Sequence, residues 1–290
     1  MRTIELLGKI IITGDIETKT GLYIGGMSSW LEIAGIDKLV VRNSVTGLPY
    51  IPGSSMRGKL RSLIEKDLGK EQNKVIKKPD VYIHECNDET NYSSCEVCQI
   101  FGVSHRVDPE GNFSYPSRLL VRDIPLDPDR KKPGRTKSLS ELNTDFPYSE
   151  LKWEATIDRI TSSAVPRQFE RVPAEVIFSP CEFIFNLFIP QDVILLWYFI
   201  QGLVMVEHDY LGGMGSRGYG KINFKNIKIR VKSRKYRDIL EGLEKEPEED
   251  KLLEELNIAS IDYLKSIEGK FRIKPYKTGI KSILEKWIFK

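Results

Sequence analysis

One histidine and three cysteines stand close together in the sequence, with the spacing of a metal site. They follow the pattern His84-x-Cys86-x8-Cys95-x2-Cys98. One imidazole and three thiolates complete a tetrahedral Zn²⁺ shell, and Cys-x2-Cys is a recurrent ligand spacing. Because this set leaves no coordination position open, it predicts a structural zinc ion. The alternative is ordinary buried cysteines beside an unrelated histidine, but the polar, helix-poor surroundings favour a metal that holds the segment together.

A second chemical signal is the glycine-rich segment Leu211–Lys221. Glycine lets a backbone approach a ligand closely, at a cost in chain entropy. The pattern Gly213-x-Gly215-x-x-Gly218 fits the dinucleotide fingerprint formally, but that fingerprint needs a strand before it and a helix after it. Here a helix is predicted before the segment and a strand after it, so a nucleotide cofactor is excluded. The segment predicts a loop that grips an anionic backbone, with Arg217 as its cation.

A third signal is the segment Pro52–Arg61, which predicts a helix start able to bind phosphate. Ser54 or Ser55 is expected to cap the helix, and Met56 begins an apolar stripe along it. Exposed amides at a helix N-terminus, together with cations, attract phosphate groups. The alternative is a capped surface helix with solvated charges. The candidate phosphate-site residues are Ser54, Ser55, Arg57, Lys59 and Arg61.

Further cations lie in the middle of the chain. The run Arg130–Lys137 is strongly basic, and Arg159, Arg167 and Arg171 come a little later, close to Phe169. A basic hairpin with an apolar wedge can lie against a nucleic-acid backbone and disturb its stacking. A solvated loop is the alternative.

The composition is typical of a soluble globular protein. The 290 residues are 40% hydrophobic and 29% charged, with a formal net charge of +3. Since the basic residues are local, net charge is a weak guide to nucleic-acid binding. The longest apolar run, Val193–Val206, is shorter than the roughly 20 residues of a membrane span, so it predicts a buried helix and no membrane partner. The clustered cysteines and the lack of a visible secretory signal predict a cytoplasmic location.

The predicted elements alternate between strand and helix, and the fold class is α+β. The order is β-α-β, an insertion, then β-α-β, the plan of ferredoxin-like and RNA-recognition-motif-like folds. We expect this core over residues 1–231, with a zinc-binding insertion at about 70–116 and a helical C-terminal extension over 232–290. The predicted strands and the second helix are Ile4–Ile16, Ser117–Ile124, Trp153–Asp158, Glu175–Ile189, Pro190–Asp209 (the helix) and Lys221–Val231.

Three of these segments resemble one known family. Pro49–Lys59, Asp158–Pro173 and Leu211–Lys221 are similar to motifs of the RAMP superfamily of CRISPR proteins, above all of the repeated backbone subunit of type III-A effector complexes. The resemblance runs from about residue 4 to residue 231. It implies subunits stacked along a CRISPR guide RNA, contacting further copies of the chain and other subunits of the complex. It also implies a β-hairpin thumb, within about 126–173, inserted into the duplex of guide and target RNA.

The same resemblance implies which residues contact RNA and which one cuts it. Asp37, in the context Gly35-Ile36-Asp37, matches the aspartate with which the family cleaves bound target RNA. The 2′-hydroxyl of RNA supplies the nucleophile, and Mg²⁺ or Mn²⁺ held by a carboxylate offsets the phosphate charge. Arg42 is a weaker candidate for assisting with that charge. The implied RNA-binding residues are Ser54, Ser55, Arg57, Lys59, Arg61, Arg159, Arg167, Arg171, Gly213, Gly215, Arg217 and Gly218.

Three rival functions remain open at this stage. The chain could be a guide-RNA scaffold without catalysis, in which Asp37 is only a turn residue. It could be a guide-processing endonuclease of the same superfamily, an enzyme that works with His, Tyr or Lys acids and bases. It could also be a zinc-dependent enzyme unrelated to RNA.

Overall fold

The computed structural model describes residues 4–26, 38–77, 81–103, 114–189, 191–233 and 256–260. Within these ranges the chain forms strands and four α-helices. In chain order they are β1 (Gly8–Thr18), β2 (Tyr50–Ile51), α1 (Gly53–Asp67), β3 (Lys74–Lys77), β4 (Val81–Ile83), α2 (Glu89–Ser93), α3 (Glu96–Phe101), β5 (Leu119–Val121), β6 (Ile124–Asp127), β7 (Glu150–Ile157), β8 (Ala164–Arg171), β9 (Ile177–Leu187), α4 (Asp192–His208), β10 (Ile222–Ser233) and β11 (Leu256–Ser260).

One antiparallel sheet forms the body of the protein. Its strand order is β11-β10-β1-β9-β6-β2, and β5 pairs with β9 beside β6. The central strand β1 buries Ile10 and Ile12 on one face, with the less buried Ile11 between them. In β9, which lies within the predicted strand Glu175–Ile189, Phe183 and Phe185 are buried on the same face. This period of two places the apolar core on one side of the sheet.

Helices α1 and α4 cover that core. The predicted stripe of α1 is confirmed, with Leu60 and Ile64 fully buried. Gly202 of α4 lies against these two side chains, and a Cβ there would stand 2.9 Å from Ile64 Cδ1. The apolar run predicted to be a buried helix is α4, and its Phe199 ring lies 5.3 Å from that of Phe183. Within the described ranges, no helix is long and apolar enough to cross a membrane.

The start of α1 differs from its prediction. Pro52 is the N-cap, and neither Ser54 nor Ser55 caps the helix. Instead, the amide of Gly53 donates to the carboxylate of Asp123 at 2.7 Å. A carboxylate from a neighbouring loop therefore satisfies an amide at the helix start, a role that a local serine was expected to fill.

Two predictions about strand content need correction. The segment 69–80, in which no strand was predicted, contains β3, which pairs with β4 in a separate hairpin. Part of the C-terminal extension, expected to be helical, is the strand β11, which pairs with β10 from Leu256 to Ser260. The open edge of β10 explains this, since its unpaired backbone groups outweigh the helical spacing of a few leucines. Residues 234–255 and 261–290 lie outside the described ranges.

The predicted thumb divides into two parts. Strands β7 and β8 form a hairpin that pairs from Glu150–Arg171 to Ile157–Ala164, and Trp153 and Ile157 on it are exposed. This hairpin is called the thumb below. The preceding basic run instead packs on the sheet, where Arg130 makes two 2.8 Å bonds to the buried carboxylate of Asp15. Arg130, Lys132 and Arg135 thus form ion pairs within the protein, although much of the run is exposed, and RNA contact by this run stays a prediction.

The close packing at the start of α1 can be tested with two glycines. A Cβ on Gly53 would stand 2.3 Å from the carbonyl oxygen of Val121, whereas a Cβ on Gly58 would meet nothing within 4 Å. We expect Gly53→Ala to lower the free energy of unfolding by about 1–3 kcal/mol through overpacking. Gly58→Ala should raise it by about 0.5–1 kcal/mol, since alanine loses less chain entropy in a helix. Denaturant titration measures both values, and equal effects would contradict the packing argument.

Candidate nucleic-acid interface and metal centre

The insertion brings its four candidate ligands together. One ligand atom from each of His84, Cys86, Cys95 and Cys98 lies within 4.8 Å of the other three, and the three sulfurs are buried. The Nε2 atom of His84 lies 3.3 Å from Cys95 Sγ and 3.6 Å from Cys86 Sγ. Cys95 begins the short helix α3, and Cys98 lies in its first turn. The local fold therefore brings the four residues of the sequence pattern into a single cluster that is able to hold a metal ion.

The three thiols of this cluster affect one another's ionisation. A hydrogen bond from the Cys98 thiol lowers the pKa of Cys95 to about 4. Burial raises the pKa of Cys86 to about 11, and hydrogen bonding to Cys95 raises the pKa of Cys98. The Nδ1–H of His84 donates to the carbonyl of Glu71 at 2.8 Å, so Nε2 faces the sulfurs as an acceptor. Such a bond on the second ring nitrogen fixes the orientation of metal-ligating histidines.

Two cations predicted to bind RNA fasten this cluster to α1. Arg61 donates to the carbonyl of His84 at 2.5 Å and to the carboxylate of Glu65 at 2.7 Å. Arg57 donates to the carbonyl of Phe101 at 2.5 Å, and its guanidinium lies 5.3 Å from that ring. Burial, together with the neighbouring Arg61, lowers the pKa of Arg57. Both guanidiniums are thus engaged with their own chain.

The third cation of that helix is engaged as well. Lys59 forms a 2.8 Å ion pair with Asp209, and its ammonium lies 3.8 Å from the centroid of the Tyr210 ring. In contrast, Ser54 is exposed and Ser55 is half-buried. In the candidate phosphate site, the two serines are therefore at least partly accessible to solvent. Its three cations contact other parts of the chain and hold the helix in place. RNA contact by Arg57, Lys59 and Arg61 stays a prediction.

The glycine loop packs tightly against the segment that follows β1. The amide of Gly213 donates to the carbonyl of Tyr23 at 2.9 Å. A Cβ on Gly213 would stand 3.1 Å from the Tyr23 ring, and one on Gly215 would stand 2.1 Å from the Tyr210 ring. Gly218, with φ of 83°, has open space beside it. Gly213 and Gly215 therefore allow close packing against tyrosine rings. The sequence analysis had explained these glycines only by close approach to a ligand.

A cleft lies between the thumb and the glycine loop. Its volume is about 720 Å³, and Phe169 and Met214 contribute apolar walls. Within the described part of the chain, no ion pair engages any of the cations that line it. Those four cations are Lys38, Arg159, Arg167 and Arg217. They are therefore able to bind phosphate, and three of them are residues that the sequence predicted.

Arg171 is engaged with its own chain, and its predicted RNA contact stays a prediction. It donates to Glu150 at 2.7 Å, and its guanidinium lies 5.1 Å from the Tyr219 ring. The ammonium of Lys152 lies 4.5 Å from the same ring. Burial and the neighbouring Glu154 raise the pKa of Tyr219 to about 12. These contacts fix the base of the thumb to the glycine loop.

Arg42 also serves the fold. It donates to the carbonyls of Gly47 and Pro147 at 2.9 and 2.8 Å, and to the buried carboxylate of Glu170 at 2.5 Å. It also donates to Ser149 Oγ at 2.8 Å. The hypothesis that Arg42 assists with phosphate charge is therefore not supported. Asp37 itself lies outside the described residues.

Sequence reasoning missed three residues that shape the site. Lys38 lines the cleft, Tyr23 supports the glycine loop, and Asp123 caps α1. The position of Lys38 directly after the Gly-Ile-Asp motif was the one available signal for it. Nothing local marked Tyr23 or Asp123, because their partners lie far away in the chain.

Comparison with known proteins defines the class to which this fold and cleft belong. The sequence model of the RAMP superfamily matches residues 15–223. The chain therefore belongs to the RAMP superfamily.

Within that superfamily, several relatives carry one name. A protein of Methanocaldococcus jannaschii named CRISPR system Cms endoribonuclease Csm3 is 38% identical over 259 residues, which cover 88% of this chain and 94% of that protein. A protein of the same name from Streptococcus thermophilus is 35% identical, over 76% of this chain and 91% of that protein. The solved Csm3-Csm4 subcomplex of the type III-A CRISPR-Cas interference complex contains a chain that matches with a TM-score of 0.54 and 28% identity. That match covers 94% of this chain and all of the other. The chain is thus a member of the Csm3 family.

The metal centre can be tested by comparing two buried cysteines. Cys98→Ser removes a ligand of the cluster, whereas Cys181→Ala removes a buried thiol outside it. We expect Cys98→Ser to lose bound metal and to make the segment 70–116 more sensitive to protease, because binding of a structural metal stabilises the fold that forms its site. Cys181→Ala should keep the metal. Elemental analysis after gel filtration measures this, and equal metal content in both variants would contradict the assignment.

Proposed function

We propose that this protein is the repeated guide-RNA-binding subunit of a type III-A CRISPR interference complex, and that it cleaves complementary target RNA. Its membership of the Csm3 family supports this, since its relatives are named endoribonucleases. The observation that carries the proposal is the cleft. Its four unpaired cations stand between the thumb and the glycine loop, and its wall includes Lys38, the residue that directly follows Asp37.

The partners follow from the same surface. A groove of cations able to hold successive phosphates suits a single-stranded guide, and the exposed Trp153 and Ile157 of the thumb suit insertion beside bases. The proposal includes further copies of this chain and other subunits of the complex as neighbours, and a cytoplasmic location. A membrane has no place in it.

Cleavage requires little chemistry from the protein itself. The 2′-oxygen of the target attacks the adjacent phosphorus, the bond from phosphorus to the 5′-oxygen breaks, and the products are a 2′,3′-cyclic phosphate and a 5′-hydroxyl. The protein holds the nucleotide so that the attacking and leaving oxygens stand in line. We assign this catalytic position to Asp37, and the thumb is the element that separates the bases around it.

A divalent ion, Mg²⁺ or Mn²⁺, would supply charge neutralisation at the scissile phosphate. The donors that the described cleft offers fit such an ion poorly. Glu154 is the carboxylate on its wall, and it is paired with Lys152 at 3.1 Å. The ion would therefore depend on Asp37.

Zinc is the proposed occupant of the His84, Cys86, Cys95 and Cys98 cluster. Three thiolates and one imidazole match the preference of Zn²⁺, and the set leaves no position for a substrate. The ion would be structural, which disfavours a zinc-dependent enzyme. Its proposed effect is to hold the insertion against α1 through the contact of Arg61 with the carbonyl of His84.

We also propose that the core is ferredoxin-like. The antiparallel order β10-β1-β9, followed by β5 and β6, supports it, as does the position of α1 and α4 in the connections. In such folds the sheet supports loops that contact single-stranded RNA. The boundaries at 1–231 and 232–290 remain proposals, and β11 is one part of the extension that joins the sheet of the core.

The proposed catalysis is tested by Asp37→Ala in the guide-loaded complex. With Mg²⁺, the wild type should cut target RNA at regular intervals, and the variant should lose these products while it retains the target. Equal cleavage by both proteins would reduce the chain to a scaffold. Cleavage of unprocessed repeat RNA by the lone chain would instead support a guide-processing endonuclease.

The proposed RNA contacts are tested by salt dependence. Each lost phosphate contact should make the slope of log K against log salt shallower by about 0.7 for a single strand. We expect this for Arg217→Met and for Arg167→Met, measured by binding to guide RNA. Arg122→Met is the matched control, because Arg122 is an exposed arginine outside the cleft. An unchanged slope in both cleft variants would contradict the assignment.

A further inference from the structure

Lys38 is held in the cleft by its backbone, which leaves its side chain available. The amide of Glu170 donates to the carbonyl of Lys38 at 3.1 Å, and Lys38 bridges Phe169 of β8 in parallel register. Two residues on, the amide of Val40 donates to the Glu170 carboxylate at 2.8 Å. The main chain is thus fastened on both sides of Leu39 to the base of the thumb.

The ammonium of Lys38 points towards aromatic faces and sulfur. It lies 5.8 Å from the Tyr23 ring centroid, 5.7 Å from that of Phe169, and 4.0 Å from Met214 Sδ. In the described part of the chain no carboxylate forms an ion pair with it. Aromatic faces attract a cation weakly and leave its N–H donors able to turn towards a phosphate. Its two carboxylate neighbours in the fold are engaged elsewhere, Glu154 with Lys152 and Glu170 with Arg42.

The other three cations of the cleft are placed differently. Arg159 and Arg167 belong to the thumb, and Arg217 belongs to the glycine loop. Lys38 alone among these four comes from the segment that follows Asp37. A backbone-binding role can be served by cations anywhere along a groove. Lys38 is joined directly to the proposed catalytic residue Asp37, so it is the cleft cation whose position is tied by the chain to that residue.

We infer that Lys38 is a second catalytic residue, whose ammonium contacts the scissile phosphate and stabilises the negative charge that develops on it. This inference rests on the proposed function, since it assumes cleavage beside Asp37. In the step, the bond from the 2′-oxygen to phosphorus forms and the bond from phosphorus to the 5′-oxygen breaks. The 2′-hydroxyl proton leaves to solvent, and the 5′-oxygen takes a proton from water. Lys38 keeps its own proton and acts through its charge.

The test is single-turnover cleavage of saturating target RNA by the guide-loaded complex. Lys38→Met keeps the length of the side chain and removes its charge. We expect the cleavage rate constant to fall by about 10²-fold, as for the loss of one donor to a developing charge, while the affinity for target RNA stays unchanged. Lys38→Arg keeps the charge and should restore most of the rate. Lys66→Met is the control, since Lys66 is exposed on α1 away from the cleft.

Each alternative outcome is distinct. A wild-type rate in Lys38→Met would overturn the inference. So would a rate at saturation that is unchanged while target affinity falls, because Lys38 would then be a binding residue only. If neither Lys38→Met nor Lys38→Gln entered the complex, Lys38 would be an assembly residue and the inference would also fail. Asp37→Ala is measured in parallel: cleavage by that variant sinks the proposed function, whereas cleavage by Lys38→Met alone sinks only this inference.

Discussion

The buried carboxylate of Glu170 is the interaction on which the geometry of the cleft depends. It accepts hydrogen bonds from the amide of Val40, from Arg42 and from Ser149 Oγ, the last at 2.5 Å. A buried charge is costly unless it is paired and hydrogen-bonded, and these three donors supply that compensation. Because the donors come from two separate loops and Glu170 from β8, one carboxylate joins both loops to the thumb. Without these three hydrogen bonds, the backbone bond from Glu170 to the carbonyl of Lys38 would have to hold the Lys38 segment against the thumb.

Contacts of a similar kind join the metal centre to α1. Arg57 and Arg61 extend from α1 to the carbonyls of Phe101 and His84 and lie against the ring of Phe101. The segment buries Val97, Ile100 and Phe101 in the core, and the two guanidiniums, together with a metal bound by the cluster, would add to that hold on α1. These contacts of Arg57 and Arg61 hold the first turns of α1, where Ser54 is exposed to solvent.

Elements defined by local pattern could be predicted from the sequence. The buried stripe of α1, the apolar helix α4 and the spacing of the four metal-ligand candidates are all local, and each is present. Features that depend on a distant partner could not be predicted. Asp123 caps a helix that begins 70 residues earlier, and β11 is a strand because the edge of β10 is beside it. The RNA-binding role of Arg57, Lys59 and Arg61 was inferred from the helix start and the family resemblance, neither of which reveals that Phe101, His84 and Asp209 contact these cations.

The distribution of free cations explains how a protein of net charge +3 can present a strongly basic groove. The basic run from Arg130 is used on the carboxylates of the sheet, and the cations of α1 are used on the insertion and on Asp209. In contrast, the four cations of the cleft, between the thumb and the glycine loop, form no ion pair within the described residues. The four cations of the cleft outnumber its one carboxylate, Glu154, so its lining has a positive balance that attracts a polyanion. The position of the cleft cations, rather than the net charge of the chain, is therefore the basis for the proposed path of the RNA backbone.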